Sequence, residues 1–263
     1  MLIFFSKIIH YIRKIFTFIK MPFPSFRVFS KTNPMELFDA CKEGRVDDVK
    51  RLLTQNKIKI NKADKYGRTP LWIACGMGHA DVVRLLLARK DIDVNQADED
   101  GATPLWMACQ NGHVDVVRLL LARKEIQINK ADEDGWTPQF IACKTGRVDI
   151  VRLLLDQPGI QINKRTNKGI TPLYVACDGG HVDVVRLLLA REEIKINQGN
   201  RKGLTPLSRA CYHGHVDVVK LLLARKEIKI NQPRRDGRTP LWTAIKVGHS
   251  EIADLLRQKG GQE

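Results

Sequence analysis

The chain has 263 residues, with 44 Lys and Arg against 29 Asp and Glu, a formal charge of +15. That length would ordinarily hold one or two compact domains. Strings that recur every 34 residues exclude that plan in favour of a stack whose units touch only their neighbours. The six cysteines, Cys41, Cys75, Cys109, Cys143, Cys177 and Cys211, keep the same interval and show no CxxC or Cys/His ligand spacing. This argues against metal and redox chemistry, and no cofactor is expected.

The first 34 residues hold six of the positive charges (Lys7, Arg13, Lys14, Lys20, Arg27, Lys31) and no Asp or Glu. In "MLIFFSKIIHYIRKIFTFIK", Ile8, Ile12, Ile15 and Ile19 share one helical face, with Lys7, His10, Arg13, Lys14 and Lys20 largely opposite. Central charges costing about 2.5–3.5 kcal/mol each argue against a bilayer span, and their interleaving argues against a secretory signal. Three readings stand: an interfacial anchor on an anionic membrane surface, a mitochondrial presequence poor in Ser, or an artefactual start with Met21 or Met35 as the initiator. Pro22 and Pro24 separate the segment from the repeated units.

From residue 35 the chain divides into units at about 35–64, 65–98, 99–132, 133–166, 167–200, 201–234 and 235–263. In the first, Asp39, Asp48 and Arg51 stand where the second has Ile73, Val82 and Leu85. That places a polar face toward the preceding side. The third unit, "GATPLWMACQNGHVDVVRLLL", shows the common plan. Thr103 offers a hydroxyl cap and Pro104 takes the first helical position. A short helix is expected to about Gln110, and Gly112 ends it in the left-handed conformation. His113 and Asp115 open a second helix carrying Val116, Val117, Leu119, Leu120 and Leu121. Ile126 and Ile128 then alternate like a short strand, Asn129 closes the turn, and "ADEDG" forms the next tip. Neither helix is long enough to be stable alone, so neighbouring units must cover the apolar faces. Equivalent cysteines would lie about 8–10 Å apart, beyond the roughly 7 Å Cα limit for a disulfide. Buried free thiols suit a reducing compartment, hence a cytoplasmic protein, peripheral to a membrane if residues 1–34 anchor it.

The pattern "G-x-TPL-x-x-A … GH-x-DVV-x-LLL" resembles the ankyrin repeat, over about residues 33 to 260. The tetratricopeptide repeat shares the period, but its Trp-Leu-Gly-Tyr pattern is missing here. The resemblance implies an all-α solenoid of helix-turn-helix units joined by β-hairpin-like loops. Two departures stand out. The family's usual unit has 33 residues, and the position after "TPL", commonly His, is Trp72, Trp106, Phe140, Tyr174, Ser208 and Trp242. These aromatics are expected to pack between units. In the last unit Ala253 and Arg257 replace Val83 and Leu87, so two caps and a complete array are expected, acting as a monomer.

The framework barely varies between units, but the tips do. They read "ADKY", "ADED", "ADED", "RTNK", "GNRK" and "PRRD", acidic over units three and four and basic over units five to seven. After each tip glycine stand Arg68, Ala102, Trp136, Ile170, Leu204 and Arg238. The first helices end in pairs such as Lys144-Thr145, Asp178-Gly179 and Tyr212-His213. The resemblance implies that such positions line a concave partner surface. Trp136, Ile170 and Leu204, flanked by Lys168, Lys202, Tyr212, Lys144 and Arg238, would suit a partner segment with acidic and apolar residues. A solvated edge free to drift is the plainer alternative.

The stripe Lys50, Arg84, Arg118, Arg152, Arg186 and Lys220 tempts a nucleic-acid reading. Each follows an Asp by three residues, so local ion pairs account for it and nucleic acid is disfavoured. The "GH" histidines read as junction residues, with His213 alone out of register. No phosphate loop, nucleophile elbow or paired catalytic carboxylates occur. The expectation is a non-enzymatic scaffold for a protein partner. Charge-driven binding to an anionic membrane or nucleic acid, through residues 1–34 and the basic tips, is the alternative.

Overall fold

The computed structural model describes residues 35–55 and 57–263. The readings of residues 1–34 lie outside that range. Among the described residues every regular element is a helix, and the helices come in pairs, one pair to each 34-residue period. The first members are α1 (Glu36–Lys42), α3 (Pro70–Met77), α5 (Pro104–Asn111), α7 (Pro138–Lys144), α9 (Pro172–Asp178), α11 (Pro206–His213) and α13 (Pro240–Val247). The second members are α2 (Val46–Leu53), α4 (Ala80–Leu87), α6 (Val114–Leu121), α8 (Val148–Leu155), α10 (Val182–Leu189), α12 (Val216–Leu223) and α14 (Ser250–Gln258). None of these helices is long enough to cross a membrane.

Local chemistry sets each boundary. The Thr before every Thr-Pro helix accepts a backbone N–H from the third helical residue, as Trp72 N donates to Thr69 Oγ1 at 3.0 Å and Phe140 N to Thr137 Oγ1 at 3.1 Å. Proline fills the first turn, where its missing N–H costs nothing. The left-handed glycine stops the helix: Gly78 has φ +78, and a Cβ there would run into the His113 ring of the next unit. That imidazole is a strut, for His113 Nε2 meets Gly76 O at 2.9 Å. His79, His181, His215 and His249 meet the carbonyls of Lys42, Lys144, Asp178 and Tyr212 at 3.0–3.3 Å. Arg147 takes over where His is absent, donating from Nε to Gln110 O at 3.3 Å. Each strut satisfies a carbonyl at the end of the preceding unit's first helix.

First helices pack on first helices and second on second. Ala40, Ala74, Ala108, Ala142, Ala176, Ala210 and Ala244 have no exposed surface, nor do the six cysteines that follow all but the last of them. These small side chains let the first helices approach more closely than the Val- and Leu-rich second helices. All six thiols are free, and burial pushes those of Cys41 and Cys211 up to about 12, so they stay protonated and inert.

The connection after each second helix is a turn and no strand, which corrects the alternation of Ile126 and Ile128. No extended neighbour is available for pairing there. An asparagine side chain makes the link instead: Asn129 Nδ2 donates to Gly159 O at 2.8 Å and its Oδ1 accepts Gln161 N at 3.0 Å. Asn95 does the same with Glu125 and Gln127. The tips are hairpin-like, with Asp98 N donating to Ala102 O at 3.1 Å, and they join sideways through Glu99 N to Tyr66 O and Glu133 N to Asp100 O, both 3.0 Å. At the terminal units Asp39 is exposed and Arg51 pairs with Glu36 at 2.9 Å, whereas Ala253 is buried and Arg257 exposed.

Candidate interaction surface

Trp136, Ile170, Leu204 and Arg238 occupy one column along the tip edge, each held by its own turn. Asp132 Oδ1 accepts Trp136 N at 2.8 Å, Thr166 Oγ1 accepts Ile170 N at 3.2 Å, and Asn200 Oδ1 accepts Leu204 N at 3.1 Å. In the last of these turns Asp236 Oδ1 accepts Arg238 N at 3.3 Å. Trp136, Ile170 and Leu204 are half-buried, and Arg238 is exposed. The second residue of the tips at 131–134, 165–168 and 199–202 is thus a turn-forming acceptor, and the acidic appearance of "ADED" overstates the charge offered to solvent. At Asp132 burial, aided by Asp134 and Asp98, pushes the carboxyl up to about 6 against the backbone hydrogen bond from Trp136.

Trp136 and Lys144 come together. The Lys144 Nζ lies 3.8 Å from the Trp136 ring centroid, and Phe140 backs the indole at 5.4 Å. Burial holds the Lys144 ammonium below its ordinary value, with Asp132, Asp134 and Asp178 pulling the other way. Lys168 and Lys202 are exposed at successive tips, whose backbones are joined by Arg201 N to Lys168 O at 3.3 Å. Arg238 caps Trp242 at 4.3 Å, one unit beyond Leu204.

Tyr212, with nearly half its surface exposed, belongs to a separate cluster that sequence reasoning largely missed. Arg209 joins α11 to Asp178 at the end of α9 through a close ion pair. Its guanidinium lies 5.1 Å from the Tyr212 ring centroid and 6.0 Å from that of Tyr174. Arg209 also donates to His213 Nε2 at 2.7 Å, and burial together with Arg209 holds that imidazole below its usual pKa. The signal was present: Arg209 interrupts a column that reads Ile73, Met107, Ile141 and Val175 in the preceding units and Thr243 in the last, with a charge elsewhere only at Asp39 of the first unit.

Trp72, Trp106 and Tyr174, each following "TPL", face the next unit. Trp72 Nε1 donates to Ala102 O at 2.9 Å, Trp106 Nε1 to Trp136 O at 3.0 Å, and Asn200 Nδ2 to Tyr174 Oη at 3.2 Å. They serve inter-unit packing, as expected. On the outer helices, Arg84, Lys50 and Arg186 meet the aspartates three residues earlier at 2.6, 3.6 and 4.0 Å, while Lys220 reaches Glu251 at 3.1 Å. Among the described residues no group of His, Cys, Asp and Glu is arranged to hold a metal.

A family model described as "Ankyrin repeats (3 copies)" matches residues 37–132, 124–200 and 192–263. Among solved structures the chain is similar to the crystal structure of the human ASB11 ankyrin repeat domain. That match has 27% identity and a TM-score of 0.73, and covers 86% of this chain and 98% of that one. No curated protein matches.

Proposed function

Because the chain belongs to the ankyrin repeat family, an interaction fold, we propose that it is a non-enzymatic scaffold that holds a protein partner on its concave face and hairpin tips. The observation that supports this is the division of labour among positions. Residues that join units (Thr caps, His struts, Asn clamps, the Ala-Cys seam) repeat almost unchanged. Variation concentrates in the columns of Trp136, Ile170 and Leu204, of Lys168 and Lys202, and of Lys144 and Tyr212, with Arg238 at the last tip. Half-buried apolar side chains beside exposed cations have the composition of a recognition surface.

Trp136→Ala with Leu204→Ala tests the proposal by affinity capture and mass spectrometry against the wild-type chain. Capture should be lost while the helical signal persists; unchanged capture removes the concave strip as the binding surface. Charge-driven binding draws support from exposed Arg201, Lys202 and Arg235 at the basic tips. A steep loss of binding with added salt would favour it, whereas docking on Trp136 should respond weakly.

A further inference from the structure

We infer that Lys144 and Trp136 form a carboxylate anchor, so that the partner segment is acidic, with an Asp or Glu next to an apolar residue. This rests on the concave-face reading and specifies the chemistry of what binds there. The cation is half-buried on the indole, and no carboxylate lies within 4.0 Å of it among the described residues. Two of the three carboxylates that pull on it are already committed, and the third, Asp134, makes no ion pair with it within 4.0 Å. Asp132 accepts Trp136 N at 2.8 Å, and Asp178 is engaged by Arg209 and lies 3.3 Å from His213.

Other ring-stacked cations differ. Arg68 is bound to Asp64 at 2.8 Å and Arg238 lies 3.7 Å from Asp236, while Lys65 over Tyr66 stands in open solvent. Among the described residues Lys144 alone combines partial burial, an aromatic platform and unpaired N–H donors. A half-buried ammonium gains most from a carboxylate that arrives with apolar surface to displace the remaining water. The indole, backed at 5.4 Å by buried Phe140, provides the matching apolar wall. Charge along the edge sets a direction. Exposed Glu99, Glu133 and Asp134 repel an acidic chain away from the tips of units three and four, and exposed Lys202 and Arg235 draw it toward units five to seven. Three steps of about 9 Å take about eight extended residues.

The test is a phage-displayed library of random peptides of about twelve residues, selected on the full chain near physiological salt. The best peptides are then synthesised and titrated by fluorescence anisotropy. Selected peptides should be rich in Asp or Glu beside Leu, Phe or Trp. Lys144→Gln should weaken them about tenfold or more, and Lys144→Arg should retain affinity within about threefold. Circular dichroism of each variant checks the fold. Binders without an acidic residue, or no binders, overturn the inference, as does equal affinity for Lys144→Gln. If Trp136→Ala with Leu204→Ala abolishes binding while Lys144→Gln leaves it intact, the carboxylate anchor falls and the concave-face reading stands. If neither variant changes affinity, both fall.

Discussion

Asp132 and Asn200 occupy the same turn position and accept the same backbone N–H groups, yet only Asp132 carries a charge. Its carboxyl is raised to about 6 from 3.8, chiefly by burial. The ionised form is therefore penalised in the folded state. The chain loses stability as pH climbs from about 4 through about 6. Asp132→Asn keeps the acceptor and removes the penalty. It should stabilise the protein by on the order of 1 kcal/mol at pH 7, after allowance for screening, and make no difference below about pH 4. Thermal unfolding at both pH values checks this, and an equal effect at each would contradict it. Gln139 is a second anomaly: it is 1% exposed, with neither amide atom hydrogen-bonded, in a column otherwise of leucines. Gln139→Leu should raise stability by about 1–3 kcal/mol in denaturant unfolding. Both positions were visible in the sequence as letters. Their meaning was not, because composition does not show that the Asp132 carboxylate is spent on a turn or that an amide is buried without a partner.

At the scale of the helix pair, boundaries were legible because Thr-Pro and Gly encode stereochemistry directly. The long-range role of the "GH" histidines was not legible, since the carbonyl that His113 meets lies 37 residues earlier. The supposed strand at Ile126 and Ile128 failed for a related reason. Alternation identifies a possible strand but not whether a pairing partner exists. The glycine and the strut form one joint, which predicts non-additive mutations. Gly78→Ala imposes a left-handed backbone on a residue with a Cβ and pushes that atom into His113, for a cost of about 1–3 kcal/mol. In Gly78→Ala with His113→Ala the collision is gone. The double variant should therefore be more stable than the sum of the two single losses by about 0.5–2 kcal/mol. Strict additivity would contradict the joint.

Over the whole array, the 34-residue period made the solenoid readable, because a stack of short helix pairs has a fixed grammar of caps, seams and turns. The interaction surface was only partly readable. Comparing units exposed the variable columns. It did not reveal that Lys144 lies on Trp136, nor that Arg209 and Asp178 tie two units together, since those contacts depend on side-chain direction. In the proposed function the outer helices are scaffold and the inner edge is for binding. Hydrogen–deuterium exchange of the full chain, with and without the captured partner, tests it most directly. Protection should appear in the tips and first helices over residues 132–145, 166–179 and 200–213 and leave α8, α10 and α12 unchanged. Protection concentrated on those outer helices instead would contradict the claim.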